Sequence, residues 1–385
     1  MTGKTSVSDL FRGAVQDLRV RPRGNVPTLD VLRSIAILVV FSGHYVFQFQ
    51  GVHWVQKLPM FFWGWTGVDL FFVLSGYLIG SQLWKEVKRS NGIRIGRFLL
   101  RRGLRIWPLY YAFVAFVAFE GLFGRNISGM WSDVCFLSNY FHCQIGGGWS
   151  LSTEEQFYIL APVSIALFSL MLKPRRLWVV PIGGLIVLLI NRAVVIHYST
   201  LSVADLRQKL YLPMATHADG LAIGLLLAWI GVFYPELMKS KRFRMWTCAG
   251  MVVLGIVLYA INQVLFNFTS LGLIFGACAL WGIGLEKTPK LLDWQGFYIM
   301  SRLSYGMYLN HFGLLDRLST LLLPLRHRGG EAAFWALYVV AILTSLAIAF
   351  VTFQLIEWPF LQIRARWLET KKQPQPQVAS EAATA

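Results

Sequence analysis

The segment LDVLRSIAILVVFSGHYVF, residues 29–47, indicates the kind of protein that this chain forms. It is apolar over about the ~20 residues that a helix needs to cross a bilayer. Asp30 and Arg33 stand near its first end, and His44 stands near its last. Ionisable groups in a bilayer are costly, so such side chains usually face water, a polar partner or a functional site. The segment therefore predicts a membrane helix with a polar stripe.

The composition extends this prediction to the whole chain. Of 385 residues, 56% are hydrophobic and 14% are charged, whereas soluble domains carry about a quarter charged residues. We expect an all-α, polytopic membrane protein of about ten transmembrane helices, without a second soluble domain. The predicted spans are 29–48, 60–83, 104–122, 155–172, 177–196, 214–233, 244–263, 267–285, 299–320 and 332–356.

The distribution of basic residues predicts the orientation in the membrane. Lysine and arginine concentrate in alternate loops, above all in KEVKRSNGIRIGRFLLRRGLR (85–105), and such loops face the cytoplasm. Both termini are then cytoplasmic. Three regions follow: an amphipathic, interfacial N-terminal segment (1–27), a transmembrane domain (28–365) and a disordered cytoplasmic tail (366–385).

The net charge of +17 does not predict a nucleic-acid partner. The basic residues lie between apolar runs instead of forming one patch, so membrane lipids are the expected partner of these charges. The four cysteines show no metal-site spacing, and no metal is expected. Cys135 and Cys143 share one loop and would form a disulfide only in an oxidising compartment, which the sequence leaves open.

The first span places three ionisable side chains on one stripe. Arg33 and His44 are eleven residues apart, which is three helical turns plus ~20° and a rise of ~16 Å. Asp30 precedes Arg33 by three residues, where an ion pair can form. The alternative is that Arg33 anchors the inner interface and that water satisfies His44.

The second span contains an acidic residue at its outer end, Asp69 in GVDLFFVLSGYLIG (67–80). A hairpin of the first two spans would bring Asp69 to the depth of His44, where a carboxylate can fix an imidazole tautomer. Equally, Asp69 can cap a helix that starts after Thr66 and Gly67.

An arginine cluster, Arg97, Arg101, Arg102 and Arg105, lies at the inner end of the third span. Arginine matches phosphate geometry in two-pronged contacts. The cluster can also act as a topology determinant or contact anionic lipid headgroups.

Two adjacent carboxylates occur in WSLSTEEQFYIL (149–160). Ser152 and Glu155 fit a capping box, which predicts that they form the start of a helix. Glu154 then points about 100° away, outward into any cavity that lies there.

Polar residues also occur in two later spans: His217 and Asp219 in THADGLAIG (216–224), and Tyr305 and His311 in SYGMYLNHF (304–312). Hydrogen bonds between packed membrane helices explain such residues without any chemistry.

Taken in order, these motifs resemble the acyltransferase-3 family of bacterial membrane acyltransferases, over residues 28–365. The resemblance rests on seven segments: LDVLRSIAILVVFSGH, GVDLFFVLSGYLIG, RRGLRIWPLYY, WSLSTEEQFYIL, THADGLAIG, SYGMYLNHF and IEWPF. Val31 and Ser34 depart from the family pattern, but neither removes an ionisable group. Some members add an SGNH-type esterase domain, which we do not expect here.

The resemblance implies roles for individual residues. The family's arginine-x10-histidine motif falls on Arg33 and His44, and its RxxR motif on Arg102 and Arg105. The implied catalytic residues are His44, Asp69 and Glu154. The implied acyl-CoA-binding residues are Arg33, Arg97, Arg102 and Arg105. The supporting residues are Asp30, Ser75, Trp149, Ser150, His217, Asp219, Tyr305 and His311.

The family also implies a reaction, in which acyl-CoA, most often acetyl-CoA, is a co-substrate and no cofactor is bound. The acceptor would be a hydroxyl of a cell-envelope glycan at the bacterial inner membrane. His44 would be a general base or a transient acyl carrier, and Glu154 would hold the acceptor hydroxyls in an outer vestibule. Two other classes compete: a proton-coupled transporter or flippase, which would use the same buried groups as a path, and a non-catalytic scaffold.

Overall fold

The computed structural model describes residues 7–22, 24–49, 52, 54–90, 92–285, 288–322 and 330–370. Within these ranges the chain contains no strand. The longer helices are α1 (Val7–Arg19), α2 (Pro27–Gln48), α3 (Gly67–Ser90), α4 (Ile95–Gly121), α5 (Gly148–Ser169), α6 (Val179–Tyr198), α7 (Val203–Tyr211), α8 (Asp219–Phe233), α9 (Lys241–Ile261), α10 (Gln263–Ile283), α11 (Gln295–Leu321), α12 (Gly330–Thr352) and α13 (Trp358–Thr370). A π-helical turn, Phe353–Glu357, joins α12 to α13.

The all-α membrane class is confirmed. In the described part of the chain, six helical segments are long and apolar enough to cross a membrane: Pro27–Gln48, Gly64–Ser90, Pro174–Tyr198, Lys241–Ile261, Gln263–Ile283 and Gly330–Trp367. A seventh apolar helix, α8, is shorter. Each of the ten predicted spans overlaps one of the helices α2–α6 and α8–α12. The number of crossings and the orientation stay predictions.

Glycines allow the central helices to approach closely. A Cβ atom on Gly76 of α3 would lie 2.2 Å from the carbonyl oxygen of Leu221 on α8. A Cβ atom on Gly224 would lie 2.2 Å from the carbonyl oxygen of Val73. Backbone contact between α3 and α8 thus depends on these two residues, as is common where membrane helices pack. Around this pair, α10 and α2 pack against α3, and α11 packs against α2 and α12.

Polar contacts join the loops at each end of the bundle. At one end, Arg21 forms an ion pair with Asp293. At the other end, the Trp54 indole donates to Glu331 over 2.8 Å. Both pairs join segments that the alternating topology places on the same side of the membrane.

The N-terminal segment forms α1, which packs against α11, the π-helical turn and α13. Ala14 and Leu18 are buried there, and Gly13 lies against the Trp358 ring. The prediction of a disordered tail is wrong for residues 366–370, which are part of α13. Residues 1–6 and 371–385 of the two predicted terminal regions lie outside the described residues.

The loop between α4 and α5 contains Cys135 and Cys143 as free thiols. The structure contains no disulfide between these two residues. Burial raises the pKa of the Cys143 thiol, which disfavours the reactive thiolate.

Candidate active site

A cavity lies between α2, α3, α4, α5, α11 and the π-helical turn. Its volume is about 110 Å³. Its polar lining consists of Arg33, Ser75, Arg102, Arg105, Ser150, Glu154, Tyr158, Ser301, Arg302, Ser304, Tyr305, Tyr308 and Glu357. Seven of these were predicted from the sequence: Arg33, Ser75, Arg102, Arg105, Ser150, Glu154 and Tyr305.

Four arginines from three helices face this cavity. Arg33 comes from α2, Arg102 and Arg105 from α4, and Arg302 from α11. The guanidinium of Arg102 lies 5.8 Å from the centre of the Tyr158 ring, a cation–π contact that fixes its direction. Arg302 forms an ion pair with Asp17 of α1, and Asp17 is not part of the cavity lining.

Two carboxylates oppose the arginines. Glu154 on α5 lies near Arg33 and Arg102, and Glu357 lies near Arg105 and Arg302. The π-helical turn contains Glu357, and such turns often occur at functional sites. The lining thus holds four arginines and two glutamates.

Several polar atoms of this lining are buried without a hydrogen-bond partner among the described residues: Arg33 Nε, Arg102 Nη2, Arg302 Nε and Glu357 Oε1. Unpaired buried polar groups are costly, and arginine forms its strongest contacts with carboxylates and phosphates. An anionic group in the cavity would supply the missing acceptors for the guanidinium nitrogens.

The two carboxylates of WSLSTEEQFYIL take different roles from those predicted. Helix α5 begins at Gly148, after Gly147 in the left-handed conformation (φ 80°), so the capping box of Ser152 and Glu155 is wrong. Glu155 accepts a hydrogen bond from the Trp107 indole over 3.0 Å. The prediction placed the helix start too late because it relied on the capping-box pattern of Ser152 and Glu155.

Glu154 faces the arginine cavity itself instead of a separate outer vestibule, which corrects its predicted place. The Tyr158 hydroxyl donates to its Oε2 over 2.7 Å. Ser75 lies 3.4 Å from that hydroxyl. A short hydroxyl chain therefore connects α3 to the carboxylate.

His44 is not part of the cavity lining. Its Nδ1 is 2.8 Å from Nε2 of His311, and Nδ1 of His311 is 2.6 Å from the carbonyl oxygen of Tyr308. The Tyr308 hydroxyl lines the cavity and is 2.5 Å from the Ser150 hydroxyl. Tyr308 therefore contacts both the cavity and the histidine pair.

Asp69 does not bind His44, so that predicted pairing is wrong. Its Oδ1 lies 2.8 Å from Nε2 of His217, and both side chains are fully buried. The ring of Trp149 stacks on His217 with 5.6 Å between centroids. Because Asp69 lies in the first turn of α3, the pair connects the start of this helix to the segment before α8.

Asp219 belongs to a second buried cluster away from the cavity. Arg192 of α6 donates to both of its carboxylate oxygens over 2.8 and 2.9 Å, and Thr269 of α10 donates to Oδ1 over 2.5 Å. Polar contacts between helices were the alternative for His217 and Asp219, and this geometry agrees with it. Arg192 was missed, although a lone arginine in an apolar helix is itself an indication of a buried partner.

Two further predicted residues lie apart from the cavity. Asp30 accepts a hydrogen bond from Asn25 over 2.7 Å, and the predicted ion pair with Arg33 does not occur among the described residues. Arg97 is not part of the lining.

Sequence reasoning also missed Arg302 and Glu357. Both are ionisable residues within predicted spans or beside them, which is the pattern that should have drawn attention to them.

These features define a helical membrane protein with a buried, arginine-lined cavity and a histidine pair outside its lining. Comparison with known sequences gives the family: a model of acyltransferase domains matches residues 26–354. The chain therefore belongs to the acyltransferase-3 family, which confirms the resemblance seen in the sequence.

Individual relatives have low sequence identity to this chain. The chain is 25% identical to the O-acetyltransferase OatA of Staphylococcus aureus over 371 residues, which cover 87% of this chain and 57% of that protein. It is 25% identical to the peptidoglycan O-acetyltransferase OatA of Listeria monocytogenes, over 88% of this chain and 56% of that protein. The chain thus spans a little over half the length of these relatives. No solved structure matches it.

Proposed function

We propose that this protein transfers an acyl group, most simply acetyl, from cytoplasmic acyl-CoA to a hydroxyl of a cell-envelope glycan at the outer side of the bacterial inner membrane. The observation that carries the proposal is the cavity with four arginines and two carboxylates, in which several guanidinium nitrogens have no partner among the described residues.

The donor would bind through its phosphates. Coenzyme A carries phosphate groups at one end and the thioester at the other, and guanidinium groups bind phosphates in two-pronged contacts. The arginines lie toward the bundle end where Arg21 meets Asp293, which is the predicted cytoplasmic end. From Arg33 to His44 the rise along α2 is ~16 Å, a distance that suits an extended pantetheine arm.

The chemical step would use His44. A glycan hydroxyl is a weak nucleophile at neutral pH, and histidine is the side chain best suited to remove its proton. The hydroxyl oxygen bonds the acyl carbon, the carbon–sulfur bond breaks, and the proton passes through the imidazole to the departing thiolate of CoA.

Glu154 would act within the cavity. It accepts from Tyr158 and lies near Arg33 and Arg102, so it would orient these groups around the donor. The acceptor class rests on the relatives, since one of them is a peptidoglycan O-acetyltransferase. O-antigen, exopolysaccharide and lipid-linked sugars remain within the proposed class.

The test follows labelled acetyl from acetyl-CoA in nanodiscs containing the full chain, with peptidoglycan fragments as the acceptor probe. We expect His44→Ala to lose at least about 100-fold in rate, the usual contribution of a general base. His197→Ala is the matched control, because His197 is exposed on α6.

Equal rates for wild type and His44→Ala would contradict this mechanism. A wild type that neither binds nor consumes acetyl-CoA would contradict the proposed function and favour a proton-coupled transporter built on the same buried groups.

A further inference from the structure

We infer that His311 is a positioning residue that holds the His44 imidazole in a single tautomer, with Nε2 of His44 as the reactive nitrogen. This inference rests on the proposed function for its catalytic meaning. The arrangement of protons in the histidine pair follows from the hydrogen bonds alone.

The proton on His311 is assigned by its backbone partner. Nδ1 of His311 lies 2.6 Å from the carbonyl oxygen of Tyr308, and a carbonyl oxygen only accepts hydrogen bonds. Nδ1 of His311 therefore carries a proton. The side chain is fully buried, and no carboxylate among the described residues bonds either ring, so the neutral form is favoured. Its Nε2 then has a free lone pair.

The same reasoning extends to His44. Its Nδ1 lies 2.8 Å from that lone pair on His311, so Nδ1 of His44 must donate. A neutral imidazole with its proton on Nδ1 has its basic lone pair on Nε2. The carbonyl group of Tyr308 thus determines, through two hydrogen bonds in series, which nitrogen of His44 carries the proton.

Aromatic contacts restrict the orientation of the His44 ring. Its centroid lies 4.9 Å from that of His311, with an interplanar angle of 30°, so the two rings meet edge to edge through their hydrogen bond. The ring of Phe312 meets the His44 ring edge-on at 5.4 Å. His311 and Phe312 are adjacent on α11, so one helical turn determines both the tautomer and the ring plane.

The tautomer has a direct chemical consequence. During transfer, the hydroxyl proton moves to Nε2 of His44, which becomes an imidazolium with Nδ1 still bonded to His311. The same Nε2 proton then passes to the CoA thiolate, and the starting tautomer returns without any exchange of protons with solvent. A ring with its proton on Nε2 would have no lone pair facing the hydroxyl.

The kinetic test compares His311→Leu with His311→Gln, since the glutamine oxygen can accept near the position of Nε2. With acetyl-CoA and peptidoglycan fragments, we expect His311→Leu to lose about 100-fold in kcat with KM for acetyl-CoA unchanged, and His311→Gln to recover at least tenfold of that loss. Asn310→Leu is the matched control, because it removes the buried hydrogen bonds to Ser345 from the same helix and should leave kcat within about threefold. Equal losses in the Leu and Gln variants would overturn the inference.

A second measurement does not depend on turnover. Nitrogen-15 NMR of the histidine-labelled full chain in liposomes distinguishes protonated from unprotonated ring nitrogens, and the His44 signals are assigned by their loss in His44→Gln. We expect wild-type His44 to have a protonated Nδ1 and an unprotonated Nε2, and His311→Leu to lose this preference. A protonated Nε2 in wild type, or an unchanged tautomer in His311→Leu, overturns the inference. The expected signals in a protein without transferase activity would support the tautomer and reject the proposed function.

Discussion

At the scale of single residues, the structure separates arginines that the sequence had grouped. Arg102 and Arg105 are three residues apart on α4 and both face the cavity, as residues at this spacing share a helix face. Arg97 does not line it, and Arg101 lies 3.8 Å from Glu86. The arginine cluster predicted from the sequence is therefore divided. Arg102 and Arg105 line the cavity, whereas Arg97 and Arg101 are not part of its lining.

This separation predicts different effects for two arginine variants. Arg105→Gln should raise the KM for acetyl-CoA by about 10- to 100-fold, because a hydrogen bond to a charged group contributes ~1.5–3 kcal/mol. Arg97→Gln, the matched control, should change KM by less than about threefold. Initial rates across acetyl-CoA concentrations measure both. Similar effects of the two variants would mean that the phosphates bind at the cluster as a whole.

At the scale of elements, close helix packing supports the cavity wall. Gly76 and Gly224 bring the backbones of α3 and α8 into contact, and α3 carries Ser75 toward Tyr158. The π-helical turn also forms part of the cavity wall, because it contains Glu357, which lines the cavity. Neither the glycine contact nor the π-helical turn is marked in the sequence by regularly spaced ionisable residues.

Gly224→Ala should therefore lower the stability of the protein. The new methyl group would meet backbone atoms at 2.2 and 2.6 Å, which cannot move independently, and overpacking of this kind costs about 1–3 kcal/mol. Gly184→Ala on α6 is the control, because no atom lies within 4 Å of its Cβ position. Thermal unfolding in detergent compares the two. An unchanged Tm for Gly224→Ala would show that α3 and α8 can separate without loss.

At the scale of the whole molecule, buried polar clusters connect helices that are distant in sequence. Arg192, Asp219 and Thr269 join α6, α8 and α10, and both charged side chains are fully buried. This cluster lies outside the cavity, so its role is to hold the outer helices on the central pair.

Arg192→Met should destabilise the fold by about 3–5 kcal/mol, because it leaves Asp219 as an uncompensated buried charge. The double variant Arg192→Met with Asp219→Leu removes both charges and should be more stable than the single variant. Unfolding curves in detergent measure both proteins. A double variant less stable than Arg192→Met would contradict this account.

The orientation of the molecule gives a further prediction. Cys135 is exposed in the loop between α4 and α5, which the distribution of basic residues places outside. A membrane-impermeant thiol reagent should label Cys135 from the outer face of the membrane, and should not label a cysteine introduced as Lys290→Cys until the membrane is opened. The reverse pattern would invert the topology.

The sequence by itself determined the membrane class, the approximate positions of the helices, and the family motifs that contain Arg33, Arg102, Arg105 and Glu154. Hydropathy and helical spacing are local properties, so ~20 consecutive residues suffice to read them. Only the tertiary structure decided that Asp69 binds His217, 148 residues away, that His44 binds His311, and that Arg302 and Glu357 complete the cavity. Such partners depend on which helices become neighbours and how each is rotated, and these are set by packing of the whole bundle through close contacts such as Gly224 on Val73.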